Sequence, residues 1–148
     1  MAPVQLFIIL SALVIFPFAW LRGGRPERAV VGFQLASYLL AVVLQDWRWG
    51  SLFIGVAVVD LGLWLGLVWL SLRYDRWWLM IAAGAQTLNL MTHPVLLLGA
   101  SLTARESVAA QWVFTLVTLY SLLLGVLERR LAGESPGALL QSRQPNPT

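Results

Sequence analysis

The stretch "SLFIGVAVVDLGLWLGLVWLSLRYDRWWLMIAAGAQTLNLMTHPVLLLG", residues 51–99, holds two long apolar segments separated only by the polar tetrapeptide "RYDR" at 73–76. Each segment, 51–72 and 77–99, is about as long as the roughly 20 residues that an α-helix needs to cross about 30 Å of hydrocarbon. A connection this short makes the two helices antiparallel neighbours. The stretch therefore predicts a helical hairpin inside a membrane.

The rest of the chain repeats this pattern. Three further apolar segments, also separated by short polar connections, cover residues 3–21, 29–45 and 107–127. Hydrophobic residues make up 59% of the chain and charged residues 11%, whereas about a quarter of the residues in a soluble globular domain are charged. We therefore predict an all-α membrane protein in which residues 1–130 form a bundle of five transmembrane helices joined as antiparallel hairpins. Residues 131–148, rich in Pro, Gly, Ser and Gln, are predicted to form a flexible cytoplasmic tail.

The arginines predict the orientation of the bundle. All ten basic residues are arginines, and cytoplasmic loops carry an excess of basic residues. With the N-terminus outside, only Arg48 and Arg105 lie in outer loops. The inner loops and the tail then contain Arg22, Arg25, Arg28, Arg73, Arg76, Arg129, Arg130 and Arg143. We expect the N-terminus outside and the C-terminus inside, and we attribute the basic balance to this orientation rather than to nucleic-acid binding.

Tryptophans mark the predicted membrane boundaries. Trp20, Trp77 and Trp78 fall at the inner ends of predicted helices, and Trp47 and Trp49 fall at the outer ends. Trp is enriched at both membrane–water interfaces, where its amphipathic ring anchors a helix. These five residues are therefore predicted to be interface anchors.

A few polar residues lie inside the third and fourth apolar segments and define a candidate site. Asp60 and His93 are predicted at depths that differ by only about 5 Å, at about 1.5 Å per residue. Gln86 and Asn89 share a helix face with His93, and Trp64 shares a face with Asp60. A lone carboxylate near the bilayer centre costs about 2.5–3.5 kcal/mol on the translocon scale, so we expect Asp60 to be paired or protonated. The predicted intramembrane polar site consists of Asp60, Trp64, Gln86, Asn89 and His93.

This polar site has two interpretations that the sequence leaves open. It is either a hydrogen-bonded clamp between two helices or a seam that carries a proton, an ion or a small ligand. His93 is the only histidine, cysteine is absent and the carboxylates are scattered, so bis-histidine haem and a divalent metal centre are not predicted. No hydrolase, metalloprotease or phosphate-loop motif is present. We expect no cofactor, no metal site, no catalytic residue and no enzymatic activity.

The block "LRYDRWWLMIAAGAQTLNLMTH", residues 72–93, resembles small polytopic integral-membrane proteins of alphaproteobacteria, which show a similar progression of Arg, Asp-Arg-Trp, Gln and His. The resemblance covers the middle of the chain and implies a helical fold in a bacterial inner membrane, without implying an activity. The size, the five segments and the tryptophan content are also similar to tryptophan-rich sensory proteins, but the proline- and tryptophan-rich motifs of that family are not found. This second likeness is one of architecture only.

Two hypotheses for function follow. The first is a non-enzymatic accessory or scaffold subunit of the bacterial inner membrane, whose partners are the lipid bilayer and either a larger membrane protein complex or a second copy of the chain. The second is a small transporter or ligand-binding membrane protein that uses Asp60 and His93.

Overall fold

In the computed structural model, the described residues 3–47, 53–97 and 104–133 form five α-helices and contain no β-strand. The helices are α1 (Pro3–Arg22), α2 (Arg25–Leu44), α3 (Ile54–Arg73), α4 (Trp77–Leu97) and α5 (Ala104–Leu131). The all-α prediction is confirmed, and each helix covers one predicted segment. The predicted tail beyond Gly133 lies outside the described residues.

The bounds of α2 and α5 differ from the prediction, because charged residues belong to both helices. α2 begins at Arg25 rather than 29, because the Glu27 side chain accepts a hydrogen bond of 2.8 Å from the Gly24 backbone N–H and so caps the helix. α5 begins at Ala104 rather than 107 and continues to Leu131 rather than ending at 127, so its first and last turns include charged residues. Gly133 follows two residues after the helix ends, and its φ of 69° is the left-handed conformation that glycine adopts most readily.

The five helices close into a ring. Each helix packs against its neighbours in the chain, α5 returns to pack against α1, and α2 also contacts α5 across the ring. The α1–α2 turn, the α3–α4 turn and the end of α5 meet at one end, where Arg129 lies 3.6 Å from Glu27 and Arg76 lies 3.9 Å from Glu128. We call this the arginine end, and the opposite end the far end. The described arginines at the arginine end are Arg22, Arg25, Arg28, Arg73, Arg76, Arg129 and Arg130.

The surface of the bundle is apolar. Large hydrophobic side chains such as Leu13, Val43 and Leu72 are 65%, 73% and 85% exposed, a pattern suited to lipid rather than to water. Within the described residues, four helices are long and apolar enough to cross a membrane, namely α1, α2, α3 and Val108–Leu131 of α5. α4 has 21 residues but is not among these four, and Gln86, Asn89 and His93 interrupt its apolar sequence.

A dry core fills the half of the bundle next to the arginine end. All five helices contribute to it. Its buried side chains are Ile15, Phe16, Ala19, Val30, Val31, Leu67, Leu70, Trp78, Leu79, Ala82, Ala83, Leu119, Leu122 and Val126. The arginine half of the bundle is therefore closed by packed apolar side chains.

Trp78 belongs to this core, which corrects its predicted place at the lipid boundary. Its side chain is fully buried, and its ring lies against Gly125 of α5, where an added Cβ would come within 2.5 Å of Cε2 and Nε1 of the indole. Trp77, one residue earlier, is 47% exposed. Successive helix residues point about 100° apart, and here this difference turns Trp78 into the core and Trp77 outward.

We predict that Gly125→Ala destabilises the protein by about 1–3 kcal/mol, the usual cost of overpacking a core, because the buried indole of Trp78 has no free space to enter. Gly62→Ala is the matched control: nothing lies within 4 Å of a Cβ added there, and alanine is favoured over glycine in a helix by about 1 kcal/mol. Thermal unfolding in detergent measures both variants. Equal melting temperatures for the two variants would contradict the close α4–α5 contact.

A buried ion pair fastens the arginine end. Glu27 of α2 and Arg129 of α5 are each 1% exposed in their side chains, with Nε of the guanidinium 3.6 Å from Oε1. The absent side chain of Gly24 makes room for the guanidinium, since a Cβ there would lie 2.3 Å from Nη1. The sequence places Arg129 among the orienting charges of the inner surface but gives no sign that it is enclosed. The pair joins the start of α2 to the end of α5.

Breaking this pair is predicted to be costly. Arg129→Met leaves Glu27 buried without its counter-charge, and loss of one partner of a buried pair destabilises by about 3–5 kcal/mol. Arg130→Met is the control, because the adjacent Arg130 is exposed and a surface charge contributes about 0–1 kcal/mol. The double variant Glu27→Leu/Arg129→Met should recover part of the loss. Thermal unfolding measures all three, and an equal effect of the two single variants would contradict a buried pair.

Candidate functional site

The structure brings Asp60 of α3 and His93 of α4 together. Nε2 of His93 lies 2.9 Å from Oδ2 of Asp60, a hydrogen-bond distance, and the side chains are 8% and 16% exposed respectively. The short α3–α4 turn aligns the two helices so that these groups meet at nearly the same depth. An imidazole and a carboxylate at this distance share a proton, whichever of the two holds it.

Gln86 completes the contact between the two helices. Its amide nitrogen donates to Oδ1 of Asp60 and to the Asp60 backbone carbonyl, both at 3.3 Å. Gln86 is buried, as are Asn89 and His93 on the same face of α4. All three polar groups therefore point into the bundle and leave the outward-facing side of α4 apolar.

Trp64 lies in the same α3–α4 interface, but its partner is one that the sequence analysis missed. Its indole N–H donates to Oγ1 of Thr87 at 2.8 Å, and Thr87 in turn donates to the Ala83 carbonyl at 2.8 Å. This hydrogen bond satisfies the indole N–H, which needs a partner when it is buried away from water. Trp64 thus joins α3 to α4 through Thr87 rather than through a hydrogen bond to Asp60.

A cavity of about 170 Å³ adjoins the Asp60–His93 pair. It lies between α2, α3, α4 and α5, from the middle of the bundle toward the far end, where Val56 stands in the first turn of α3 and Ala41 in the last turn of α2. Its polar lining comprises Gln34, Ser37, Tyr38, Asp60, Gln86, Asn89, Gln111, Thr115 and Thr118. We call this space the polar cavity.

α2 and α5 also contribute residues to the site, which the sequence analysis did not predict. Gln34, Ser37 and Tyr38 come from α2, and Gln111, Thr115 and Thr118 come from α5. Their spacings of three or four residues from one polar residue to another along each helix mark a single face. That periodicity was the available signal, but it does not say which other helix the face meets.

Two residues that line the cavity each contain an amide oxygen that the protein leaves unsatisfied. Within the described part of the chain, Oε1 of Gln34 and Oδ1 of Asn89 are buried without a hydrogen-bond partner, and the two residues are 3% and 6% exposed. Leaving a buried acceptor unsatisfied costs about 1–3 kcal/mol. The two oxygens are enclosed by protein atoms beside the cavity rather than exposed to it.

The predicted interface anchors occupy different environments. Trp20, Trp47 and Trp77 are about half exposed, as side chains at a lipid boundary would be. Trp78 is buried, as described above, and Trp49 lies outside the described residues. Among the described residues, no group of three His, Cys, Asp or Glu side chains is placed to hold a metal ion.

Comparison with known proteins identifies no relative of this chain. No protein-family model matches the chain, and no curated protein or solved structure is significantly similar to it.

Proposed function

We propose that the protein crosses the bacterial inner membrane five times, with the arginine end in the cytoplasm. α4 contains 21 residues, enough for about 30 Å of helix. Its buried positions hold Gln86, Asn89 and His93, while Met80 and Leu88 are 69% and 55% exposed. Polar side chains inside membranes face the bundle interior, which supports α4 as a fifth span. The clustered arginines support the cytoplasmic position of their end.

In this arrangement the protein binds a small hydrophilic solute within the membrane, as a small transporter or ligand-binding membrane protein. The observation that carries this function is the polar cavity beside the contact between Asp60 and His93. A helix clamp alone requires polar groups that satisfy one another in close packing. Here Gln34, Asn89 and Asp60 instead line a space of about 170 Å³ that protein atoms do not fill, so the clamp between Asp60 and His93 forms one wall of a binding site.

Access to this site is one-sided. The polar cavity occupies the far half, whereas the dry core and the buried Glu27–Arg129 pair fill the arginine half. With the arginine end in the cytoplasm, the solute enters from the outer surface. Release to the cytoplasm would require the core around Trp78 to open, so the conformation described here is the outward-facing one.

The natural absence of cysteine allows a direct test of access. We predict that Thr115→Cys, in the cavity wall, reacts with a membrane-impermeant methanethiosulfonate reagent added to the outside of intact cells. Ser121→Cys is the matched control on the same helix, since Ser121 is 2% exposed and lies in the arginine half. We expect Thr115→Cys to react at least about tenfold faster, because only thiolate in contact with water is reactive. Equal protection of both thiols would show that the cavity is closed to water and would refute the proposed function.

A groove between α1 and α2 favours a second candidate function, that of an accessory subunit. The groove measures about 680 Å³, and apolar side chains of both helices, including Ala12, Leu13 and Leu35, line it. It opens on the outer surface of the bundle, where Leu13 is 65% exposed. Small residues such as Ala12 let another helix approach closely within a membrane, so the occupant of this role is an apolar transmembrane helix of a larger membrane protein.

The accessory role predicts a partner that depends on this groove. Ala12→Phe fills the groove and should abolish co-purification of that partner from native membranes, whereas Leu88→Phe, on the exposed surface of α4, should leave it unchanged. Quantitative mass spectrometry of the purified complexes measures the difference. If the wild-type protein repeatedly purifies alone, or if both variants retain the same partner equally, this second function is refuted.

A further inference from the structure

The groove between α1 and α2 is long enough to follow the depth of one lipid leaflet. Its lining runs along α1 from Ile8 to Leu21, and along α2 from Val31 to Tyr38. At about 1.5 Å per residue, the α1 side is about 20 Å long, more than half of the roughly 30 Å of hydrocarbon in a bilayer. Because Leu21 lies in the last turn of α1, the groove begins at the arginine end and extends toward the far end.

Arg28 lies on the same face of α2 as the groove. Val31, Leu35 and Tyr38, the α2 residues of the lining, follow Arg28 at intervals of three, four and three residues, the spacing of one helix face. The side chain of Arg28 also reaches the end of the groove, since its Nε donates to the backbone carbonyl of Trp20 at 2.9 Å. Trp20 itself lines the groove. A guanidinium group therefore borders the apolar groove at the arginine end.

The positive charge beside the groove is not neutralised by the protein. Arg22 and Arg25 lie at the same α1–α2 turn as Arg28, and all three are exposed. Within the part of the chain that the structure describes, none of the three forms an ion pair. Glu27, the acidic residue of this turn, is buried against Arg129 instead. An apolar groove that ends at uncompensated arginines is complementary to a molecule with a hydrocarbon tail and an anionic head.

We propose that the groove binds one anionic phospholipid of the cytoplasmic leaflet, with an acyl chain between α1 and α2 and the phosphate at Arg28 and Arg25. This inference rests on the membrane position in the proposed function, but not on the solute site. Basic pockets between transmembrane helices on the cytoplasmic side bind anionic headgroups. Guanidinium groups donate strong, charge-assisted hydrogen bonds to phosphate. The bond from Arg28 to Trp20 uses Nε, so the terminal amino groups of the guanidinium are left for the phosphate.

A phospholipid is complementary to both parts of this site. Only Trp20 and Tyr38 among the lining residues have a polar side-chain atom, which suits an acyl chain, and Trp20 is 52% exposed at the level where headgroups begin. An apolar helix of a partner protein would cover the groove but would leave the arginines without a counter-charge. The lipid and the partner helix of the second candidate function therefore compete for one groove, and the charges favour the lipid.

Lipid selectivity is measured on the full-length protein in a mild detergent, with phosphatidylglycerol and phosphatidylcholine of identical acyl chains. Native mass spectrometry records the phospholipid that stays bound. We expect one bound phosphatidylglycerol and retention of phosphatidylcholine that is weaker by about fivefold or more, the contribution of one arginine near an anionic lipid. Equal retention of the two lipids, or of neither, would overturn the proposal.

Charge variants assign the selectivity to the groove. Arg28→Gln should weaken retention of phosphatidylglycerol by about fivefold. Arg73→Gln is the matched control and should leave retention unchanged, because Arg73 is exposed at the same end of the bundle but lies at the α3–α4 turn. An equal loss in both variants would indicate general attraction to the basic surface and would overturn a specific site.

A pair of groove variants keeps the test decisive if Arg28→Gln does not fold. Leu35→Trp places a large side chain in the groove and should abolish retention of phosphatidylglycerol. Leu39→Trp, one turn later on α2, is the control, because Leu39 is 70% exposed and does not line the groove. Wild-type retention by Leu35→Trp would show that the lipid binds elsewhere, and the proposal would fail.

The outcomes separate this inference from the proposed function. If Thr115→Cys is labelled from outside but phosphatidylglycerol is not preferred, the lipid proposal alone fails. If Thr115→Cys is protected while the lipid and its variants behave as expected, the solute site fails and the lipid proposal is supported. If a partner protein that depends on the groove is found in place of the phospholipid, the groove binds a helix and the lipid proposal is overturned.

Discussion

A carboxylate enclosed by apolar helices must find a partner within the protein, and Asp60 finds His93 at 2.9 Å. The alternative, an unpaired buried charge, costs several kcal/mol, so this contact restricts how the bundle can assemble. It fixes which faces of α3 and α4 meet. Once those faces are fixed, Gln86 reaches Asp60, Trp64 reaches Thr87, and the side of α4 that remains outside is apolar.

The two halves of the bundle differ in packing: the arginine half is tightly packed, and the far half contains the polar cavity. In the arginine half, Trp78 packs on Gly125 and the Glu27–Arg129 pair holds α2 to α5. In the far half, four helices leave a polar space, and two residues beside it, Gln34 and Asn89, contain buried amide oxygens without a partner. A single domain is only marginally stable, by about 5–15 kcal/mol, and two orphaned acceptors use a sizeable part of that. The tight packing of the arginine half offsets this cost.

The sequence predicts the helices and part of the site. It does not predict how each helix is rotated or which distant helices meet, because both depend on the geometry of the assembled bundle. Depth along a helix follows from counting residues, which is why Asp60 and His93 were expected at nearly the same level. The rotation of a helix about its axis is harder to infer. Trp77 and Trp78 are adjacent residues of the same type at the same predicted boundary, yet only Trp77 is exposed. Partners between helices distant in the chain are harder still. Nothing in the spacing of Gln34 or Gln111 indicates that α2 and α5 meet around the same cavity, because that depends on closure of the ring.

The buried Glu27–Arg129 pair shows why a charge near a helix end is ambiguous. Arg129 and Arg130 are adjacent at the end of α5, but Arg129 is enclosed while Arg130 stacks its guanidinium over Phe18, 5.6 Å from the ring centroid. The positive-inside rule, on which the predicted orientation depends, considers only the side of the membrane that a charge occupies and does not distinguish the two arginines. Their difference follows from rotation around the helix, since adjacent residues point about 100° apart, and Gly24 leaves the space that the Arg129 guanidinium fills. The position of a charge around the helix thus decides whether it becomes part of the core.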